Sequence, residues 1–512
     1  MSAIITDQFR ILSANNFSSS IASTETSYYT FVGLTNSTEY DSAWEESPPS
    51  PIDSFDDYND IWDTIIGLKK INSDDIRSVI RKITWESGIV YDMYRHDISR
   101  NRLSKPSNKT SLYESNFYVV NSEYRVYICL QNGTDPENTN GKPSLDEPLF
   151  TDLEPRSAGV SGDGYIWKYL YTIKPNDILR FDTLNFVPTP VNWSTNSENA
   201  SIRDNANSAA SGQLKIVNIT SRGSGLGVSR SYENVPILGD GSGAEALIII
   251  GTDSTVESIT VTSGGQNYTY GVVDLESAGI TGDTLPQFEV IIPPPGGHGK
   301  DIYKELGAKN VLVYSRIEND SLNPDFITGN KIARIGIIKD PVSFGTTSIL
   351  SSQKASNTYA VKLSGDFKSA SFPANSKITQ TITGIGTAVG RVVSYDNKTG
   401  VLKYWQDRSI VGFETGNSSL TYTPQFGYDL LRFSYLGEDI TGTSSVLPVD
   451  TNFTGFTTSI NSVLYNLGQY FSNGLSDPEV EKYSGEIIYI DNRPSITRSL
   501  FQKEDIKVVL QF

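Results

Sequence analysis

Short segments in which apolar residues recur at every second position, separated by turn residues, are the feature that most restricts how this chain folds. The clearest segment runs from Tyr165 to Ile173, where aromatic residues at alternate positions predict a strand with an aromatic face. Frequent Gly, Asn and Asp turns favour antiparallel sheets over βαβ units. The same pattern predicts further strands over 123–130, 309–317, 332–338, 485–490 and 506–512.

Helical patterns are fewer and shorter. Apolar residues recur at helical spacing in several segments, some of them preceded by a Ser or Asp that caps a helix. The predicted helices are 54–67, 73–83, 300–307, 459–468 and a segment that starts at Asp477-Pro478. The expected fold class is therefore mainly β with minority α (α+β), built as several domains with antiparallel, β-sandwich-like sheets.

A chain of 512 residues exceeds one ordinary domain, and two of its regions differ in composition from the rest. Residues 205–300 are rich in Gly, Ser, Thr and Val and contain a weak repeat, in which 219–223 aligns with 261–265. Residues 351–458 contain a hairpin pattern over 392–404. We predict a discontinuous scaffold that carries two small inserted β domains, divided as 1–204, 205–300, 301–350, 351–458 and 459–512.

Charge is distributed unevenly near the start of the chain. The net charge is −17, and residues 1–68 hold eleven acids against Arg10 alone, whereas residues 69–109 hold ten Lys or Arg against five acids. Two explanations stay open: the segments pair with each other or are solvated, or they form a complementary protein–protein surface. The overall negative charge argues against direct nucleic-acid binding.

Side chains that carry out catalysis are scarce. The chain has two histidines, His96 and His298, and one cysteine, Cys129, which excludes an internal disulfide and a Cys-rich zinc site. We expect His298 to be a turn residue ahead of a helix, and Cys129 to be a buried strand residue. The glycine clusters at 223–227 and 239–243 match no phosphate-binding pattern, and the acids of 53–63 lack the spacing of a calcium loop. We therefore predict a protein that is not an enzyme, with no catalytic residue, metal or cofactor.

The sequence also lacks the patterns of membrane insertion and secretion. The longest aliphatic run, 247–250, is far shorter than the roughly 18 residues of a membrane span. The first ten residues lack the basic and apolar regions of a secretory signal. The expectation is a chain made in the cytoplasm, without membrane insertion.

Two long strings of residues carry a family resemblance. The C-terminal string runs from Tyr483 to Ile496 and continues from Glu504 to Phe512, and the central string is GDGYIWKYL at 162–170. Both strings resemble the baseplate wedge protein of T-even-like contractile-tailed bacteriophages, the dimeric wedge subunit encoded by gene eight. The resemblance covers roughly 1–190, 309–345 and 476–512, and it leaves out both predicted insertions. Sparser matches are Thr6, Phe9-Arg10, Asn16-Phe17, Ser20-Ile21, Ile61-Trp62, Arg81, Trp85 and Tyr127 to Leu130.

This resemblance implies a structural protein of the virion. It implies a homodimer, contacts with other baseplate wedge proteins, assembly in the host cytoplasm, and a place in a tail baseplate that rearranges when the tail contracts to deliver DNA. Arg493-Pro494 is expected to end a strand, with an arginine free to pair with an acid. The candidate scaffold or interface residues within the matching strings are Gly164, Tyr165, Trp167, Arg493 and Pro494.

An alternative function is binding of host-surface glycan by the inserted domains. Exposed aromatic side chains stack on sugar rings, but aromatic residues that alternate along strands also form cores. The candidates are Tyr268, Tyr270, Tyr404 and Trp405. A polysaccharide-cleaving enzyme is a weaker alternative, because no pair of carboxylates is marked out by the sequence.

Overall fold

The computed structural model describes residues 4–35, 42–206, 208, 212–319, 325–384, 386–406, 431–433, 438–460, 462–499 and 501–512. Strands dominate these residues, and neighbouring strands pair in the antiparallel sense in each of the large sheets. The predicted mainly β class with antiparallel sheets is therefore confirmed. Several predicted strands and helices are also confirmed, including the strand that begins at Tyr165 and the helix capped by Ser54.

The strands are numbered in chain order. The first thirteen are β1 (Tyr28–Gly33), β2 (Ile65–Ile71), β3 (Ile76–Arg81), β4 (Tyr118–Val120), β5 (Arg125–Asn132), β6 (Tyr165–Thr172), β7 (Phe186–Pro188), β8 (Val217–Ser221), β9 (Ser231–Gly239), β10 (Ser242–Ile250), β11 (Val256–Gln266), β12 (Gly271–Val273) and β13 (Gln287–Val290). The remainder are β14 (Asn310–Glu318), β15 (Lys331–Lys339), β16 (Lys354–Ser356), β17 (Tyr359–Lys362), β18 (Lys377–Ile382), β19 (Gly386–Asp396), β20 (Val401–Trp405), β21 (Asp439–Thr441), β22 (Val446–Pro448), β23 (Gly455–Ile460), β24 (Val463–Ser472), β25 (Leu475–Ser476), β26 (Glu486–Thr497) and β27 (Lys503–Gln511).

Helices are short apart from the first. The α-helices are α1 (Asp7–Ala22), α2 (Ser42–Glu46), α3 (Phe55–Thr64), α4 (Pro175–Phe181), α5 (Ala200–Asn205) and α6 (Ile302–Glu305). Two 3₁₀ turns cover Ser73–Asp75 and Leu112–Glu114. Ser54 caps α3 by accepting a hydrogen bond from the Asp57 N–H at 3.2 Å, which satisfies one of the free donors at the helix start.

The chain divides into two compact units, each built from separated segments. The first unit contains Met1–Ser18, Arg77–Leu312 and Val509–Phe512, and the second contains Ser19–Ile76 and Val313–Val508. Each unit is thus discontinuous in sequence. The finer division into five segments, with insertions at 205–300 and 351–458, stays a prediction.

The first unit is organised around two cores. In one, the sheet β4-β5-β6 buries an aromatic cluster that includes Trp167, Tyr127 and Phe117, none of which is exposed. In the other, the sheet β11-β10-β9-β12 packs an aliphatic face against β8 and β13, which pair with each other. The aligned repeat segments fall in different sheets, since 219–221 lies on β8 and 261–265 on β11.

The second unit also contains two large sheets. Its five-stranded sheet has the order β16-β2-β1-β15-β26, with β1 buried along its whole length and β26 at one edge. Its nine-stranded sheet has the order β22-β21-β18-β19-β20-β17-β25-β24-β23. The hairpin predicted over 392–404 is confirmed, because β19 and β20 pair on either side of the predicted turn.

Three predicted helices are wrong. Residues 76–81 of the segment 73–83 form β3, because β-branched Ile and Val suit a strand and β7 supplies a pairing edge. The predicted helix 459–468 is replaced by two paired strands, because Ser459 and Ile460 of β23 pair with Leu464 and Val463 of β24. The segment after Asp477-Pro478 forms no helix either, since Glu479 bonds instead to the backbone of Ser356 and Phe344.

Helix α1 was not predicted from the sequence. Its apolar residues lie on both sides of the helix, so they show no single stripe, and Ser and Asn fill much of the rest. Ile11 and Ala14 are buried whereas Phe9 and Leu12 are more than half exposed. Burial of the first pair, rather than local propensity, explains why this segment is helical.

Candidate functional site

The glycines of the central string shape the turn that leads into β6. Gly164 has φ +84°, and a Cβ atom at this position would lie 2.9 Å from the Gly133 Cα, so no larger residue fits without movement of the backbone. The buried Asp163 carboxylate accepts hydrogen bonds from the N–H groups of Leu145 (2.9 Å) and Tyr165 (3.0 Å). The string thus fixes a tight turn through backbone contacts.

Tyr165 and Trp167 lie in the aromatic core behind this turn. Their rings stack at 5.3 Å between centroids, and neither side chain is exposed. The Tyr165 hydroxyl accepts from the Tyr91 N–H at 2.9 Å and donates to the Lys142 carbonyl at 2.8 Å. Burial raises the pKa of Tyr165, so the phenol stays protonated and keeps its donor role. Both side chains are therefore placed to hold the unit together.

Cys129 lies next to this pair and is buried in β5, as predicted, where it is paired with Trp167 of β6. Burial raises the pKa of its thiol well above the usual value, which removes the thiolate that nucleophilic chemistry needs. The cysteine therefore acts as a small core residue.

Arg493 and Pro494 lie on the edge strand β26. The prediction that they end a strand is wrong, because β26 continues to Thr497. The register with β15 slips here, since Ile332 pairs with Ile496 and Arg334 pairs with Asn492, which leaves 493–495 as a bulge. An edge bulge tolerates a proline, because the proline needs no ladder hydrogen bond there.

The predicted pairing of Arg493 with an acid is present. Its exposed guanidinium lies 2.6 Å from the Asp491 carboxylate, and its backbone carbonyl accepts a hydrogen bond from the Trp44 indole at 2.9 Å. Gly164, Tyr165 and Trp167 belong to the first unit whereas Arg493 and Pro494 belong to the second, so the five candidates fall into two groups.

A buried arginine beside β26 was not predicted from the sequence. Arg334 donates to the Thr64 hydroxyl at 2.7 Å and to the Asn492 side-chain oxygen at 3.1 Å. Burial lowers the pKa of Arg334 to about 10, because the charged form loses its water. The signal that would have found it is a lone charge inside the apolar run KIARIGIIK.

Five of the ten basic residues of 69–109 form ion pairs with other described residues. In the first unit Arg77 pairs with Asp177 at 3.0 Å and Lys82 pairs with Asp182 at 2.8 Å. In the second unit Lys69 pairs with the buried Asp325 at 2.8 Å. These acids lie outside residues 1–68, so the two charged segments do not pair with each other at these positions.

A four-residue network ties the loop 95–102 to β13. Arg95 holds the Glu289 carboxylate with two hydrogen bonds of 2.7 and 2.8 Å and also bonds to Asp97. Arg102 contacts the same two carboxylates, at 2.7 Å for Asp97. Two cations thus balance two anions. Exposed basic residues of this stretch that form no ion pair with the described residues are Arg100, Lys105 and Lys109.

Neither histidine is arranged for catalysis. His298 is buried, with its Nδ1 atom 2.6 Å from Glu305, whose other oxygen accepts from the Gly299 N–H at 2.7 Å. This arrangement holds the Gly-rich turn against α6, as expected for a turn residue. The Nδ1 atom of His96 accepts from the Ile292 N–H at 3.3 Å. Within the described parts of the chain, no group of three or more His, Cys, Asp or Glu is placed to hold a metal ion.

The aromatic residues proposed for glycan binding are mostly buried. Tyr268, Tyr404 and Trp405 are each 3% exposed or less, and the rings of Tyr404 and Tyr359 stack at 5.5 Å. Tyr270 is the exception, with 58% exposure. One exposed ring does not form the stacking platform that the alternative required. In the described residues, no helix is long and apolar enough to cross a bilayer.

Comparison with known proteins gives two matches. Residues 3–152 match the model of the family described as Bacteriophage T4, Gp8. The chain is also 27% identical over 210 residues to the baseplate wedge protein gp8 of Enterobacteria phage T4, an alignment that covers 37% of this chain. The chain spans 60% of the length of that curated relative. The predicted resemblance to this family is confirmed.

Proposed function

We propose that this chain is a structural component of a contractile phage tail, located in the baseplate wedge of the virion. The observation that carries the proposal is the family match over residues 3–152, joined with the similarity to a baseplate wedge protein. In this proposal the chain is made in the host cytoplasm, forms a homodimer, and contacts other wedge proteins during tail assembly and contraction-linked DNA delivery.

The structure of the central string supports a scaffold role for Gly164, Tyr165 and Trp167. Their contacts are backbone fits, ring stacking and hydrogen bonds to main-chain groups, all of them inside the unit. A wedge protein must keep its shape while neighbours move around it, and a densely packed aromatic core provides that rigidity. We propose that these residues act on partner binding only through the fold.

Arg493 and Pro494 are proposed to serve the second unit in a similar way. The bulge lets the carbonyl of Arg493 meet the Trp44 indole, and Asn492 beside it donates to the Pro49 carbonyl at 2.9 Å. These bonds attach α2 and the segment after it to the sheet edge. The edge is thus covered along this part of β26, which limits unwanted strand pairing there.

Partner contacts are proposed to involve the exposed basic residues of the loop 95–111. Arg100, Lys105 and Lys109 are the exposed residues of the basic stretch that form no ion pair with the described residues. Exposed charge of one sign sets orientation and association rate more than affinity. We therefore propose an acidic neighbour at this loop.

A non-enzymatic role is consistent with the same geometry. Cys129 and His298 are buried in packing contacts, and the Nδ1 atom of His298 is held by Glu305. A hydrolase needs a nucleophile or an activated water beside a base with room for substrate. We propose that the scarce reactive side chains are structural.

Co-expression with the other tail proteins of the same phage, followed by affinity purification of this chain, tests the proposal. The expected result is a stable complex with at least one wedge protein, weakened by the triple variant Arg100→Glu, Lys105→Glu, Lys109→Glu. The matched control, Lys368→Glu, Lys377→Glu, Lys398→Glu, makes the same charge change at exposed lysines elsewhere. A folded chain that forms no complex with any tail protein would refute the wedge assignment.

A further inference from the structure

The four-stranded sheet β11-β10-β9-β12 has one face in the core and one face turned away from it. Residues such as Val235, Ala246 and Ile248 are fully buried on the inner side. An antiparallel sheet with one solvated face normally carries polar side chains on that face. This sheet departs from that rule.

Apolar residues occupy much of the other side, which we name the outer sheet face. Val272 of β12 lies directly opposite Leu238 of β9, and the two are 63% and 55% exposed. Tyr270, two positions before Val272, is 58% exposed. The face continues onto β10, where the half-buried Leu247 and Ile249 alternate with buried residues. Its apolar residues are Pro236, Leu238, Leu247, Ile249, Tyr270 and Val272.

The charged residues on the four strands of this sheet are all acidic. The sequences of β9, β10, β11 and β12 contain no Lys or Arg, whereas Glu233 and Glu245 lie on β9 and β10. Residues 205–300 as a whole hold nine acids against four basic residues. Lys215 pairs with Glu154 and Arg222 with Glu137, and one of the nine acids, Glu289, is paired with Arg95. Arg230 lies exposed just before β9. The sheet thus combines an apolar centre with acidic side chains on its strands, which favours a partner that carries the opposite charge.

We infer that the outer sheet face is a docking surface for a neighbouring tail protein that presents an apolar patch flanked by Lys or Arg. A protein partner fits better than a sugar, because aliphatic side chains form most of the outer sheet face and Tyr270 is the one aromatic ring among its described apolar residues. A second copy of this chain fits less well, because it would bring the same acids to the interface. The inference rests on the proposed function for the identity of the assembly.

Hydroxyl-radical footprinting of the free chain and of purified tails tests this inference directly. The expected result is that Leu238, Leu247 and Tyr270 lose reactivity at least about fivefold in tails, while the exposed Leu184 of the same unit serves as an internal reference. The double variant Leu238→Ser, Val272→Ser is expected to keep its thermal unfolding temperature, since both side chains are exposed, and to enter tails about tenfold less well.

Three outcomes would overturn the inference. If the chain is present in tails but the outer sheet face stays as reactive as in the free chain, the docking surface is refuted while the proposed function stands. If the face is already protected in the free chain in a concentration-dependent way, the occupant is a second copy. If the chain is absent from tails altogether, the proposed function is refuted, and so is a tail protein as the partner of the outer sheet face.

Discussion

Replacement of Gly164 by alanine is the sharpest test of the scaffold role given to the central string. Placing an L-residue at positive φ destabilises the folded state by roughly 1–2 kcal/mol. Alanine offsets up to about 1 kcal/mol of this, because it restricts the unfolded chain more than glycine does. At Gly164 the added Cβ atom would also lie 2.9 Å from the Gly133 Cα, so the backbone must shift, which costs about a further 1–3 kcal/mol. We expect a net loss of about 1–4 kcal/mol in the free energy of unfolding.

Gly162 provides a matched control two residues away. It has φ +70°, similar to the +84° of Gly164, but no heavy atom lies within 4 Å of the position that a Cβ atom would take. Gly162→Ala should therefore cost no more than about 1 kcal/mol.

The measurement is urea unfolding followed by tryptophan fluorescence, combined with hydrogen exchange of peptides from β5 and β6. Gly164→Ala should lower the unfolding midpoint and the protection of these peptides far more than Gly162→Ala does. Equal effects of the two substitutions would refute this explanation, because the close approach to Gly133 would then contribute nothing.

Three further predictions concern other parts of the chain. Burial lowers the pKa of Lys403 to about 7, so between pH 7 and 10.5 the unfolded state binds more protons than the folded state, and the wild-type protein becomes more stable as pH rises. Lys403→Met should therefore raise the unfolding temperature most near pH 7 and less at higher pH. A difference in unfolding temperature that stays constant across a pH series of thermal melts would contradict this. Glu289→Gln should lower the free energy of unfolding by about 1–3 kcal/mol and speed hydrogen exchange in β13 peptides, because Arg95 loses a half-buried partner. The control Glu257→Gln, at an exposed residue, should change neither quantity. Equal hydrogen exchange in both variants would count against the network. Arg493→Ala should change the free energy of unfolding by less than about 1 kcal/mol and leave wedge assembly intact, because its pair with Asp491 is exposed and its backbone carbonyl keeps the bond to Trp44. A folded variant that no longer co-purifies with wedge proteins would contradict this, since Arg493 would then act on partners through its side chain.

Strand positions were predictable where alternation and turn residues agreed. The segment from Tyr165 and the hairpin of β19 and β20 have both signals, and both are present in the structure. The segment 73–83 was wrongly predicted as a helix, because the spacing of Ile76, Val79 and Ile80 fits a helix as well as a strand. The strand β7, which pairs with this segment and favours the strand conformation, lies more than a hundred residues later in the chain. Local pattern cannot reveal such a partner.

The candidate residues were predictable only as a string, not as contacts. The sequence marks Gly164 and Tyr165 as members of a long match, but their roles depend on Gly133 and Tyr91, which are brought beside them by the fold. The bulge at Arg493 was likewise hidden, because it arises from the register with β15. The apolar outer sheet face depends on which side of β10 meets the core, and alternation alone does not give that side.

The location of the chain in purified virions tests the central claim most directly. Virions separated into heads, sheaths and tail tips, and analysed by quantitative mass spectrometry, should contain this chain in the tail-tip fraction together with other wedge proteins. Its absence from virions, or its recovery with heads instead of tail tips, would contradict the assignment to the baseplate wedge.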